Sequence, residues 1–193
     1  MSVFDRFVLL LSSPDEAMFD QYESPSLAHA LIIVSAYALI SSLNSFLSAT
    51  IKSGSLGFSL VTFFGSFLTT YLTWAFLTIV FRLASELLGG LGELPNAVAI
   101  VGLAAAPLVL TSAVSIVITL GGAIALPNDP DLVLPKISLL VSVVGMAWGW
   151  PGILCYFGLK YAEKLHEAKA AIIVLLAFLA GGLYEVIYSG AFE

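Results

Sequence analysis

The side chains able to do chemistry are few and scattered. His29 and His166 lie far apart and Cys155 is the only cysteine, so neither a spaced metal-ligand set nor an internal disulfide is expected. The sequence holds no Gly-x-Ser-x-Gly elbow, no His-Glu-x-x-His, and no phosphate-cradling glycine loop followed by Lys-Ser or Lys-Thr. These absences predict a protein that is not an enzyme and needs no cofactor or metal.

Hydroxyl groups are what recur. Tyr37, Ser41, Asn44, Ser45 and Ser48 share one helical face, and Thr62, Ser66, Thr69 and Thr73 follow at steps of four, three and four. Further on stand Thr111, Ser112, Ser115 and Thr119, then Ser138 and Ser142 one turn apart. Such rows hydrogen-bond neighbouring helices, at about 0.6 kcal/mol per bond, or line a polar cavity. Glu185 is the sharpest single residue: about 24 Å along the fifth span from Lys169, it falls near the outer interface, where an ionisable group costs much less than at mid-membrane. It is read as an interfacial residue in contact with water or as the partner of Lys52 or Lys136 in an ion pair.

These groups must be positioned by elements that live in a membrane. The chain has 193 residues, 60% hydrophobic and 10% charged, with a mean hydropathy of +1.04. Soluble domains carry roughly 25% charged residues, so this inventory cannot build a water-facing surface. The fold class is all-α, a polytopic membrane protein. Five apolar stretches of about 20 residues predict transmembrane helices at about 27–51, 56–88, 96–120, 136–159 and 169–188, in a single bundle over 26–193. Turn-forming stretches such as "KSGSLG" and "GGLGELPN" separate them. Residues 1–25 form an interfacial segment: Val3, Phe4, Phe7, Val8 and Leu11 recur at helical spacing, predicting a short amphipathic helix ended near Pro14. Pro107 and Pro151 should kink their spans. Trp74, Trp148 and Trp150 read as bundle filler or lipid-facing bulk.

Five spans place the termini on opposite sides. Arg6, Arg82, Lys160, Lys164 and Lys169 then share one side, against Lys52 and Lys136 on the other. The positive-inside rule makes the N-terminus cytoplasmic and the C-terminus external, in a plasma or inner membrane. The charged stretch "LKYAEKLHEAKAA" becomes a cytoplasmic anchor, with Lys160–Glu163 and Lys164–Glu167 spaced to pair on a helix. Arg82, Lys160, Lys164 and Lys169 are the basic groups offered to a cytoplasmic protein partner. The net charge of -6 disfavours nucleic acid. The same orientation puts the hydroxyls in the outer halves of the helices. They would then form an outward-facing polar vestibule of Tyr37, Ser41, Ser45, Thr62, Ser66, Thr69, Thr73, Ser115, Ser142 and Glu185. Small-residue pairs such as Gly102 with Ala106 permit close helix approach, without fixing an oligomeric state.

Two segments resemble the Ypt-interacting-protein (Yip) family of five-span membrane proteins. In "VFRLASELLGGLGELPNAVAIVGLAAAPLVL", 80–110, Gly89, Gly90, Gly102 and Pro107 occupy the family's glycine and proline places. "WGWPGILCYFGLKYAEKLHEAKAA", 148–171, is similar to its tryptophan-bearing fourth helix and the opening of its last. The lead-in "FVLLLSSPDEAMF" is similar to that of prokaryotic members. Eukaryotic members usually show Gly-Tyr where this chain has Gly102-Leu103, and carry an Asp-Leu-Tyr-Gly-Pro type motif that does not occur here. In those members the family is linked to Rab-type GTPases, vesicle traffic and membrane shaping. The resemblance implies a non-catalytic scaffold or adaptor in membrane organisation. The hydroxyl rows imply an alternative, a small-solute transporter or channel.

Overall fold

The computed structural model describes residues 2–24, 26–125 and 149–188, with side chains over 2–24, 26–121, 149–177 and 179. Within these residues the chain forms eight helices and no strand. They are α1 Val3–Ser12, α2 Pro14–Glu23, α3 Leu27–Ser53, α4 Leu56–Leu87, α5 Leu94–Leu103, α6 Ala106–Ala125, α7 Gly149–Tyr161 and α8 Glu167–Tyr188.

Local chemistry sets the boundaries. Gly54 ends α3 in the left-handed region (φ 63°), which a glycine adopts without a Cβ penalty. The Ser55 side chain at once caps α4 by accepting from the Phe58 N–H. Two residues therefore reverse the chain. Gly89, also left-handed, closes the end of α4, and Pro95 sits in the first turn of α5, where no N–H is required. Pro107 does not kink one continuous helix. The helix breaks at Ala104 and Ala105, and Pro107 occupies the first turn of the new helix α6. A proline ring has no clashing carbonyl there.

Three segments among the described residues are long and apolar enough to cross a membrane: Leu27–Ser53, Leu56–Leu87 and Leu94–Gly121. They coincide with the first three expected spans. Of the fourth expected span only 149–159 falls within the described residues, in α7. The stretch expected for the fifth lies in α8, a helix of 22 residues.

α3 is the centre of the packing, touching α4, α5 and α6, while α2 packs on α7 and α7 on α8. The buried core runs through Leu10, Met18, Val34, Leu103, Leu154 and Leu159. Gly102 lets α5 approach α3 closely: a Cβ added there would sit 2.8 Å from the Ala30 Cβ. The outside is apolar too. On α4 the side chains of Phe58, Val61, Phe64, Leu68, Leu72, Phe76, Ile79 and Leu83 form an exposed stripe at steps of three and four. In water so long a patch would aggregate, and in a bilayer it is the lipid face. The 32 residues of α4 span about 48 Å, more than a hydrocarbon core of roughly 30 Å. That length leaves room for its polar end, with Arg82, Ser85 and Glu86, to project beyond the core.

The N-terminal segment is a hairpin of two helices rather than one. α1 follows a Ser2–Asp5 capping box, and Pro14 starts α2. Arg6 is buried and paired with Asp20 and Gln21, which fastens α1 to α2. Leu10 enters the core, while Phe4 and Val8 stay exposed.

Candidate functional site

Two places gather polar groups. The first is a cleft of about 590 Å³ between α3, α4, the α5–α6 break and α7. Tyr37, Ser41, Ser66, Thr69 and Thr73 line it, as the hydroxyl rows suggested. Ser45 stands behind this wall, 3.2 Å from the Ser66 hydroxyl. Thr62 and Ser115 are not in the lining, and Thr62 bonds back to the Phe58 carbonyl at 3.0 Å. Ser142, Lys136 and the Glu185 side chain lie outside the described residues. The opposite wall is Val101, Ala104, Ala105, Leu108, Thr111 and Cys155, of which the hydroxyl rows pointed only to Thr111.

Other hydroxyls join helices instead. Ser35 meets Tyr71 at 2.7 Å, Thr50 donates to Ser59 at 2.8 Å, and Thr119 donates to Asn44 at 3.0 Å. The rows therefore split between interhelical bonding and cavity lining.

The second place joins the turn 88–93 to the turn 162–166. Glu163 is fully buried. One carboxylate oxygen accepts from Arg82 and from the Ser85 hydroxyl, each at 2.8 Å, and the other oxygen has no partner. The Leu91 N–H donates to the Glu163 carbonyl at 2.9 Å. Lys169 reaches from α8 to the Leu88 carbonyl at 2.7 Å, neutralising an orphan acceptor at the end of α4. Gly92 packs against this carboxylate so tightly that an added Cβ would fall on it.

The expected pairing along the charged stretch is corrected here. Lys160 pairs with Glu167 at 2.9 Å, and Glu163 turns inward to Arg82. α7 ends at Tyr161, so the helical spacing that would bring Lys160 to Glu163 no longer holds across the turn. Glu167 is held below the usual carboxylate range by the hydrogen bond from Lys160, and the same bond raises Lys160. Lys164 sits at the tip of the turn with φ 54°, exposed, its ammonium 5.9 Å from the Tyr22 ring centre.

The hairpin α1–α2 is fixed beside this turn. Trp150 donates to the Leu10 carbonyl at 2.8 Å, so it is a hydrogen-bonding anchor and not filler. Tyr161 bonds Asp15 and meets Phe19 edge-on at 5.4 Å. The bond to Asp15 raises Tyr161 above the ordinary phenol value.

The two segments singled out by resemblance, 80–110 and 148–171, thus meet at Glu163. The pattern that defines the Yip1 domain matches residues 8–187. The chain belongs to the Yip1 domain family. The match takes in every helix from α1 to α8 at least in part. With its apolar helices, it makes this a multi-pass membrane protein of the Yip family. No curated protein and no solved structure matches the chain.

Sequence reasoning missed Ser85 and Gly92 and gave Glu163 the wrong partner. The only signal was the coincidence of a carboxylate in one turn and an arginine near the other, and nothing in spacing links positions so far apart.

Proposed function

We propose that this Yip-family protein is a non-catalytic membrane scaffold or adaptor that crosses the bilayer five times, with its N-terminus cytoplasmic and its C-terminus outside. Residues 1–25 act as an interfacial segment and 26–193 as the membrane domain. Arg82, Lys160, Lys164 and Lys169 organise the surface offered to a cytoplasmic protein.

The observation that carries this reading is Lys164. Left-handed backbone costs a residue with a Cβ roughly 1–2 kcal/mol, and glycine would relieve that strain. A lysine occupies the tip of a turn that Glu163, Leu91 and Lys169 hold rigid. Strain of this kind is retained where a side chain has work to do. A photo-crosslinker placed at His166 should capture a protein in cells. Capture should fall at least tenfold, about 1.4 kcal/mol, in Lys164→Gly and Lys160→Glu. Unchanged capture in both removes the surface.

A second reading is favoured by the convergence of Tyr37, Ser41, Ser66, Thr69 and Thr73 on one cleft. It is an outward-facing vestibule of a small-solute transporter or channel. Cysteines at Ser41, Ser66 and Thr69 in a Cys155→Ala background should then react rapidly with an impermeant thiol reagent added outside. Uniform protection at all three eliminates it.

A further inference from the structure

Leu87 and Leu91 are 87% and 76% exposed, the two highest values for any large apolar side chain among the described residues, and Leu94 follows at 54%. All three belong to the turn that leads from α4 into α5. The backbone of this turn is fixed from several sides. The Gly90 N–H donates to the Ser85 carbonyl at 2.8 Å, the Leu91 N–H donates to the Glu163 carbonyl at 2.9 Å, and Lys169 holds the Leu88 carbonyl. Gly92 is packed against the buried Glu163 carboxylate. The leucines are therefore held outward, and in water they would forgo the gain that apolar surface makes by leaving it.

The neighbouring surfaces name what covers them. Leu87 continues the lipid-facing stripe of α4, after Leu72, Phe76, Ile79 and Leu83 at steps of four, three, four and four. Lys169, which reaches the Leu88 carbonyl, stands in the first turn of α8, where Ile172, Leu175, Leu176 and Leu179 are exposed apolar residues as well. The turn thus joins two apolar helix surfaces suited to hydrocarbon. Its charges balance: Arg82 and Lys169 are two cations, Glu86 and Glu93 two anions. Arg82 already pairs with Glu86 at 2.6 Å. No excess of positive charge is left to favour anionic headgroups, so the driving term is apolar.

We infer that residues 87–94 are an interfacial anchor whose leucines lie in the boundary between headgroups and hydrocarbon of a zwitterionic bilayer. Interfacial apolar faces of this kind are buried about 5–10 Å into that boundary. Arg82, Glu86 and Lys169 then stand at headgroup level, their aliphatic stems along the apolar surface. The anchor also holds the Arg82–Glu163 contact at the membrane surface. This inference is independent of the scaffold and vestibule readings, since it holds for either orientation of the chain.

The test uses the purified full chain in phosphatidylcholine nanodiscs, one chain per disc. Leu87→Cys and Leu91→Cys, each in the Cys155→Ala background, carry a nitroxide label. Both side chains are exposed, so the label displaces no packing. Collisions with oxygen, which concentrates in hydrocarbon, are compared with collisions with a water-soluble nickel chelate. The oxygen-to-nickel ratio at both positions should be several-fold above that of the same label free in water. Adding phosphatidylserine to the discs should leave it unchanged. In an unlabelled chain, Leu91→Asp should speed amide exchange over 88–93 several-fold in the discs, and Leu91→Met should not. A ratio equal to that of the free label overturns the inference and leaves the turn in water. Low collision rates with both reagents overturn it too, because the leucines are then covered by the chain itself. Oxygen access that disappears in discs holding two chains assigns the face to a second copy and likewise overturns it, as does unchanged exchange in Leu91→Asp.

Discussion

Glu163 shows how one residue can tie distant segments together. Its carboxylate is buried, accepts from Arg82 and Ser85, and is covered by Gly92. Hydrogen bonds to charged groups contribute about 1.5–3 kcal/mol each. Glu163→Ala should therefore destabilise the protein by about 2–4 kcal/mol, since Arg82 keeps only its partly exposed partner Glu86. Thermal unfolding in nanodiscs measures this. In a double-mutant cycle Arg82→Gln and Glu163→Gln should be non-additive by about 1–3 kcal/mol, and simple additivity would deny the contact. Gly92→Ala should cost about 1–3 kcal/mol for overpacking against a carboxylate that cannot swing away, whereas Gly57→Ala, with open space around it, should not.

At the scale of elements, the decisive unit is the α7–α8 turn with the hairpin docked beside it. Trp150→Phe removes the bond to the Leu10 carbonyl, worth about 1 kcal/mol. Amide exchange across α1 and α2 should accelerate while α3 and α4 are unaffected. The Lys160–Glu167 pair gives the turn a pH dependence whose sign follows from the shifts. Glu167 is depressed, so its contribution is present above the carboxylate's unfolded value and lost as pH falls through the lower folded one. Lys160 is raised, so its contribution is present below the amine's unfolded value and lost as pH rises through the higher folded one. Protection of amides 162–166, corrected for intrinsic exchange, should be flat near neutrality and fall at both extremes. Glu167→Gln should abolish the acid limb. Lys164→Gly should raise the melting temperature while weakening partner capture, because it exchanges left-handed strain for glycine freedom.

At the scale of the molecule, the apolar exterior and the family match make a membrane protein, and topology is the property to test. Five crossings predict that a reporter fused after Glu193 is active outside the cytoplasm while one fused before Met1 is active within it. Both reporters on one side would mean an even number of crossings and would remove the depth assigned to each hydroxyl, and the proposed cytoplasmic surface would go with it.

The sequence by itself determined what depends on local or periodic information. Composition demanded a bilayer, and Gly54–Ser55 and Gly89 with Pro95 marked the turns, because capping and left-handed backbone are decided within a few residues. Helical spacing put Tyr37, Ser41, Ser66, Thr69 and Thr73 on cleft-facing sides, because a helix converts spacing into a face. Only the tertiary structure decided which hydroxyls line the cleft and which bond a neighbouring helix. It alone turned Trp150 into an anchor, left Trp74 without an acceptor, and exchanged the Lys160–Glu163 pair for Arg82–Glu163. Those outcomes depend on contacts between residues far apart in the chain, where short-range spacing along one helix carries no information.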